Sequence, residues 1–381
     1  HPVRGFAAIL ATGIRLCLGA AGAAADIAIS DGLCLGYRAV GVFASQSDDA
    51  RRGDGAGRPD DPRQSPPLCR YRGQRFRHRL IPRTPALPGA IAIALLLVLA
   101  LIIPRPAVAD ALRLAVMQSG LGRNGPGLFL RDIRRQEHDI LAARDAILAA
   151  RPDILLLLRI DYDLHNAALE AFADLLTDAG HPMPHRFALR PNTGIATGLD
   201  MDGDGRTGTP DDAQGYGRFS GAGGMAILSR YPVDTANVQD HSSFLWRDLP
   251  GAMIPRLDGA VFPSDEVFTI QRLSSTGHWQ VPVVLPDGRR LTLLAWHAGP
   301  PVFGGRLDRN RRRNHDENAF WQHLLNGALP VTPPGAPFVL MGNSNLDPDA
   351  GDGIRSTIQA LLTHPALQDP QPAGRRPGTT T

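Results

Sequence analysis

The chain contains no lysine, and its 40 basic residues are all arginine. An all-arginine set follows from GC-rich coding, so the net charge of +3 is no argument for a nucleic-acid partner. Cysteine is nearly as scarce: Cys17, Cys34 and Cys69 are the only three. The chain beyond them can form neither an internal disulfide nor a thiolate metal site. No internal repeat is visible. The first residue is His1, not Met, which leaves the natural start open. A length of 381 residues allows two domains, or one large domain with appendages.

Composition divides the chain near residue 110. RYRGQRFRHRLIPR (70–83) is basic, Ala90 to Ile103 form an unbroken apolar run, and PRPAVAD follows. Basic, then apolar, then small is the order of a secretory signal, with Ala107-Val108-Ala109 as the cut. The reading is therefore a leader over 1–77 without periodicity, disordered or outside the natural gene product. A signal-like segment follows over 78–109, then a domain over 110–370 and a disordered tail over 371–381. Localisation is secreted or periplasmic, with anchoring through 90–103 as the alternative. That run is short for a span.

Within the domain, ALRLAVM (111–117) predicts a first strand and QSGLGRNGPG a Gly-rich loop. Leu130, Ile133, Ile140, Leu141, Ile147 and Leu148 fall at helical spacing and predict one helix over 130–150. ILLLL (154–158) predicts a buried strand, and 165–179 a second helix. GGMAILSRYPV, EVFTIQRL, WQVPVVLPDGRRLTLLAWH and PFVLMGN predict further strands, with a hairpin turn at Asp287-Gly288. The Arg-rich segment 306–317 predicts a loop that leads into a helix carrying Phe320, Trp321, Leu324 and Leu325. Alternating strands and helices imply an α/β layered domain.

Five stretches in order, LRLAVMQSGLGRN, PDILLLLRIDYD, GGMAILSRYP, WHAGPPVF with RNHDE, and VLMGNSNLDPD, resemble the endonuclease/exonuclease/phosphatase superfamily, and more narrowly its secreted bacterial branch. The resemblance implies a four-layered α/β sandwich of two packed mixed β-sheets flanked by helices, here lacking the last strand. It also implies metal-dependent phosphoester hydrolysis with Mg²⁺. The first strand of such proteins ends in an Asn that meets metal and phosphate; here Gln118 stands there. The second ends in Asn-Glu, whose Glu is the principal Mg²⁺ ligand; here the pair is Leu158-Arg159. His297 matches a phosphate-contacting His. The late Gly-Asp-x-Asn reads Gly342-Asn343-Ser344-Asn345, which keeps the phosphate-contacting Asn and replaces the Asp. No candidate appears for the closing Asp-His pair.

Each replacement removes a chemical capacity. Mg²⁺ requires hard carboxylate oxygen. Arg159 has no lone pair to give, although its fork can grip a phosphate directly. Asn343 has the shape of Asp without its basicity, and loss of a general base costs a factor of about 10² to 10⁴. Asp161 and Asp163 stand two and four residues past Arg159. They are either substitute ligands or flanks of the next helix.

DMDGDGRTGTPD (200–211) has the spacing of a calcium loop, with Asp200, Asp202, Asp204 and Asp211 as ligands and Gly205 at the turn. A solvated acidic turn is the alternative. RLDRNRRRNHDE (306–317), which includes Arg309, reads either as a phosphate-gripping rim or as a solvated loop before a helix. The expected ligand is a phosphate ester: nucleic acid, inositol phosphate or phospholipid headgroup. No obligate protein partner is implied. The leading expectation is an exported family member with an impaired catalytic centre. The alternatives are a working Mg²⁺ phosphodiesterase with a rearranged ligand set, a calcium-stabilised binding module, and a broken gene product with an exposed sheet edge.

Overall fold

The computed structural model describes residues 112–370 with their side chains, preceded by the backbone of three short strands, β1 (Gly13–Leu16), β2 (Ile27–Ser30) and β3 (Val42–Phe43). The rest of the leader, the signal-like segment 78–109 and the tail 371–381 lie outside the described residues. No helix among the described residues is long and apolar enough to cross a membrane.

Along the domain run β4 (Leu112–Gln118), α1 (Leu128–Arg134), α2 (His138–Ala150), β5 (Ile154–Ile160), α3 (Ala167–Asp178), β6 (His185–Phe187) and β7 (Gly224–Ser229). Then come β8 (Gln239–Asp240), a small hairpin of β9 (Arg256–Leu257) and β10 (Ala260–Val261), and α4 (Asp265–Ile270). The last elements are β11 (His278–Val284), β12 (Arg290–His297), α5 (Arg309–Leu325), β13 (Phe338–Asn343) and α6 (Ser356–Leu362). One sheet has the order β2-β1-β4-β5-β7-β6, the other β3-β13-β12-β11-β8. Both are mixed: β4 and β5 run parallel, as do β12 and β13, while the neighbouring pairs β5-β7 and β11-β12 are antiparallel.

Strand alternation builds the layers. Leu112, Leu114 and Val116 of β4, Ile154, Leu156 and Leu158 of β5, Leu291, Leu293 and Ala295 of β12, and Val339 and Met341 of β13 fill one core between the sheets. The intervening Ala115, Met117, Leu155 and Leu157 pack under α1, α2 and α3. Leu294, Trp296, Phe338 and Leu340 pack under α5 and α6. Each fully buried Leu or Ile contributes about 1.5–3 kcal/mol. The result is the expected four-layered α/β sandwich. Among the described residues no strand follows β13.

Three local expectations need correction. The helix over 130–150 is two helices, broken at Gln136, which is left-handed at φ 52°. Residues 134–138 (RRQEH) offer no apolar side chain to hold a continuous helix on the sheet. EVFTIQRL is not a strand: its first half is α4, where the Ser264 hydroxyl accepts the Val267 N–H at 3.3 Å and Asp265 and Glu266 sit in the first turn. The Arg-rich segment is helical from Arg309 onward rather than a loop. The Asp287-Gly288 hairpin forms as expected, with Gly288 at φ 82° donating its N–H to Leu285 O.

Candidate functional site

The two parallel pairs end at the same edge of the sandwich and leave polar residues at the rim of the inter-sheet core. Gln118 follows Val116 on the inner face of β4, His297 follows Ala295 on β12, and Asn343 follows Met341 on β13. His297 and Asn343 are register partners, and β5 touches β13 across the interface. Arg159 enters by a different route. The ladder between β5 and β7 slips between Leu158 and Ile160, and Arg159 occupies that bulge at φ 57°. Regular alternation would send it to the helix side with Leu157. The bulge re-aims it. Ser119 fixes the spot: its hydroxyl donates to Leu158 O at 2.7 Å and lies 3.2 Å from Arg159 O.

Two buried polar atoms here have no partner among the described residues, Gln118 Oε1 and His297 Nδ1. His297 is 7% exposed. Burial first, and then the Arg159 guanidinium, push its imidazole down to about 4. It is therefore neutral at pH 7, available as a hydrogen-bond partner but not as a cationic acid.

The β13 turn is closed by its own side chains. Asn343 Oδ1 accepts the Asn345 N–H at 2.8 Å, and Asn345, left-handed at φ 50°, donates from Nδ2 to Ala298 O at 2.6 Å. Asn345 thus ties the turn to the loop behind His297. This is a structural task that the expected phosphate contact leaves out. At Gly342 a Cβ would strike Trp296 O, so the strand can only approach this closely as glycine.

Helix α5 clamps both loops from behind, and sequence reasoning missed this. Asn314 Nδ2 donates to Gly299 O at 2.7 Å and to Ser344 O at 2.8 Å, and Asn318 Nδ2 reaches Ser344 O at 3.1 Å. The Glu317 carboxylate accepts the Gly299 N–H at 2.6 Å and the Ser275 N–H at 2.5 Å. Burial raises its carboxyl above the usual range. The i, i+3, i+4 spacing of 314, 317 and 318 was the available signal. Arg313 is internal as well: it donates to the carbonyls of Leu273, Gln214, Arg272 and Ser274. Arg309 is largely buried beside other groups. It donates to Gln271 Oε1 at 2.8 Å and faces the acids Asp202, Asp211 and Asp212. The rim reading of 306–317 thus fails for Arg313, whose guanidinium is spent on backbone carbonyls.

These residues do not fit a Mg²⁺ ion. Asp161, the nearest acid in sequence, is already used: it accepts the Arg123 N–H at 2.7 Å and the Gly223 N–H at 2.8 Å, joining two loops. Asp163 accepts the Ala168 N–H at 3.0 Å at the head of α3. Among the described residues one set of three acidic, His or Cys side chains converges for a cation, namely Asp200, Asp202 and Asp204, with ligand atoms within 4.8 Å of one another. Asp200 also accepts the Gly203 and Gly205 N–H groups at 2.7 and 2.8 Å, which folds the segment into a tight turn. Asp211 is not in that set, although its charge helps to raise the Asp202 carboxyl, after burial. The following residue, Asp212, closes the loop on Met201 N–H at 2.8 Å.

A search of curated proteins returns no match. Among solved structures, an endonuclease/exonuclease/phosphatase from Beutenbergia cavernae DSM 12333 is 16% identical, with a TM-score of 0.36 over 66% of this chain and 53% of its own. Sphingomyelinase C from Streptomyces griseocarneus is 16% identical, with a TM-score of 0.33 over 60% of this chain and 61% of its own. Beta toxin from Staphylococcus aureus, in a mutant with bound magnesium ions, is 12% identical, with a TM-score of 0.36 over 67% and 70%. The chain thus spans little more than half the length of the first two. The family model described as Endonuclease/Exonuclease/phosphatase family matches residues 117–381, well over half of the sequence. With that match, and with two mixed sheets packed between helical layers, the chain belongs to the endonuclease/exonuclease/phosphatase family.

Proposed function

We propose that this protein grips the phosphate of an ester ligand through Arg159, with Gln118 and His297 beside it, without a metal ion and with little hydrolysis. One observation carries the reading: the bulge at the end of β5 presents a guanidinium where the family resemblance calls for the metal-binding Glu, and the adjacent acid Asp161 is held by two backbone amides. A planar cation beside two unpartnered buried polar atoms suits a phosphate oxyanion. The same cation repels a divalent metal. The neutral His297 offers one lone pair or one N–H, and Asn343 has no basicity to activate water.

Two further parts belong to this reading. Asp200, Asp202 and Asp204 form a calcium loop that staples the 200–212 segment and takes no part in the chemistry. Residues 78–109 direct export, on the strength of their basic, apolar and small-residue order.

The test uses the full chain in phosphate-free buffer. Calorimetric titration with inorganic phosphate is expected to show binding that chelators leave intact and Arg159→Ala abolishes. Turnover of bis-p-nitrophenyl phosphate with Mg²⁺ or Mn²⁺ is expected to be negligible. Metal-dependent turnover that disappears in His297→Ala would overturn the reading in favour of a working phosphodiesterase.

A further inference from the structure

The core beneath α5 and α6 opens to the surface beside the β9-β10 hairpin. A cavity of about 470 Å³ lies there, walled by the segment before β9, by the hairpin itself and by α4. Small-molecule sites span about 300–1,000 Å³, so the size suits a small ligand. The floor is apolar. Leu249 and Phe268 are each 3% exposed, and Ile254 and Val261 pack on the same core while only partly buried. The charged groups in the wall are Arg247, Arg256 and Asp265. Gln118, Arg159, His297 and Asn343 take no part in it.

The walls are fastened before any ligand arrives. Asp316 of α5 accepts Trp246 Nε1 at 2.6 Å and the Met253 N–H at 2.7 Å, which holds the segment at both ends. Within it the Ala252 N–H donates to Leu249 O at 3.0 Å. Phe262 N–H closes the hairpin base on Pro255 O at 3.0 Å. The Trp246 ring meets Phe268 edge-on, with centroids 5.5 Å apart. A preformed cavity of this kind spares a ligand the cost of ordering its site. The two guanidiniums are lightly engaged. Arg256 gives one N–H to Gly259 O at 3.1 Å. Arg247 Nε stands 3.7 Å from Asp248 Oδ1, well beyond a charge-assisted hydrogen bond. A guanidinium carries five donors, so both keep some to offer.

We propose that this cavity is a second binding site, for a small apolar carboxylate whose acid group meets Arg247 and Arg256 and whose body lies on Leu249, Ile254 and Phe268. The planar fork of arginine matches a carboxylate in shape as well as in charge. Two guanidiniums against Asp265 leave one positive charge in the wall. A carboxylate balances that charge. A phosphate monoester, at about −1.5 to −2 near pH 7, exceeds it. A neutral ligand would leave the arginines unused, and a purely polar anion would leave the apolar floor wet. The site stands whether or not Arg159 holds a phosphate.

The experiment titrates the full chain with 4-phenylbutyrate, its amide, 4-phenylbutylamine and 4-phenylbutyl phosphate. The acid is expected to bind once per chain, about tenfold or more tighter than the amide or the amine. It is also expected to shift the backbone amide signals of Leu249, Phe268 and Thr269 in NMR spectra. Arg247→Gln combined with Arg256→Gln is expected to remove the preference for the acid and to leave the affinity for the amide. Both side chains are exposed, so the pair is expected to leave the melting temperature unchanged. If it melts lower, the map of shifted amides in the unmodified chain decides alone. No saturable binding at millimolar acid, equal affinity for acid and amide, or shifts confined to other segments each overturn the site. A phosphate ester that binds tighter than the acid overturns the assignment of the ligand. Saturating inorganic phosphate is expected to leave the affinity for the acid unchanged. Displacement by it would move the acid to the phosphate site and overturn the second site, while leaving the phosphate-binding reading intact.

Discussion

Removing the Arg159 side chain reports on the site even before a ligand is added. His297 is depressed from 6.5 to about 4, which corresponds to about 3.4 kcal/mol against the charged imidazole. Burial is the larger cause and Arg159 the second, so Arg159→Ala returns less than half of that difference. The His297 midpoint is expected to settle above 4 and clearly below 6.5. Affinity for phosphate falls in the same variant, because a hydrogen bond to a charged group is worth about 1.5–3 kcal/mol, or roughly 10- to 150-fold. Alanine in the left-handed bulge remains strained, so Arg159→Gly serves as the backbone control. It removes the same charge without the steric penalty. The assay is the pH titration of the His297 ring proton by NMR, assigned by its absence in His297→Asn. A midpoint unchanged near 4 in both variants would mean that Arg159 points elsewhere, and the phosphate site would lose its anchor.

Three other outcomes follow from the geometry. Arg159→Glu combined with Asn343→Asp is expected to create Mg²⁺ binding detectable by calorimetry, since it returns two carboxylates to the ends of β5 and β13; absence of binding would count against placing these residues in the metal position. Calcium is expected to raise the melting temperature and Asp200→Ala to cancel the rise, and an unchanged melt would leave 200–211 a solvated turn. His297 is neutral in the folded chain down to about pH 4 but protonates near 6.5 when unfolded, so its contribution is present above 6.5 and lost as pH falls towards 4. His297→Asn is therefore expected to flatten the stability-pH curve in that window by about 1.4 kcal/mol per pH unit, measured by urea unfolding; parallel curves would contradict the buried neutral imidazole.

Period-two alternation made most of the sandwich readable, because one buried face per strand is a local property of the sequence. The turn at Asp287-Gly288 and the strand ends at His297 and Asn343 were legible for the same reason. EVFTIQRL carries three β-branched residues and looks like a strand, whereas Ser264 and the two acids that follow it start a helix. The roles of Arg309 and Arg313 were hidden, because composition says where charge lies along the chain and not which carbonyls or acids it meets. Arg313 donates to carbonyls some forty and some hundred residues away in sequence. The same holds for Arg159: a one-residue slip against β7 decides which face it serves, and that slip is set by the partner strand. Residue identity at 118, 159, 343 and 345 was readable from the family pattern. The use of Asn345 as a tie to Ala298 was not.

Arg159 and Gln118 come from one sheet, His297 and Asn343 from the other. No half of the sandwich holds a complete set, so the proposed phosphate site would exist only while the two sheets are pressed together. A phosphate ester bound there would act as a non-covalent rivet across the core. By mass action it adds about 2.7 kcal/mol to folding at a hundredfold excess over its dissociation constant. Holding the sandwich shut is thus something such a ligand would do whether or not it is turned over.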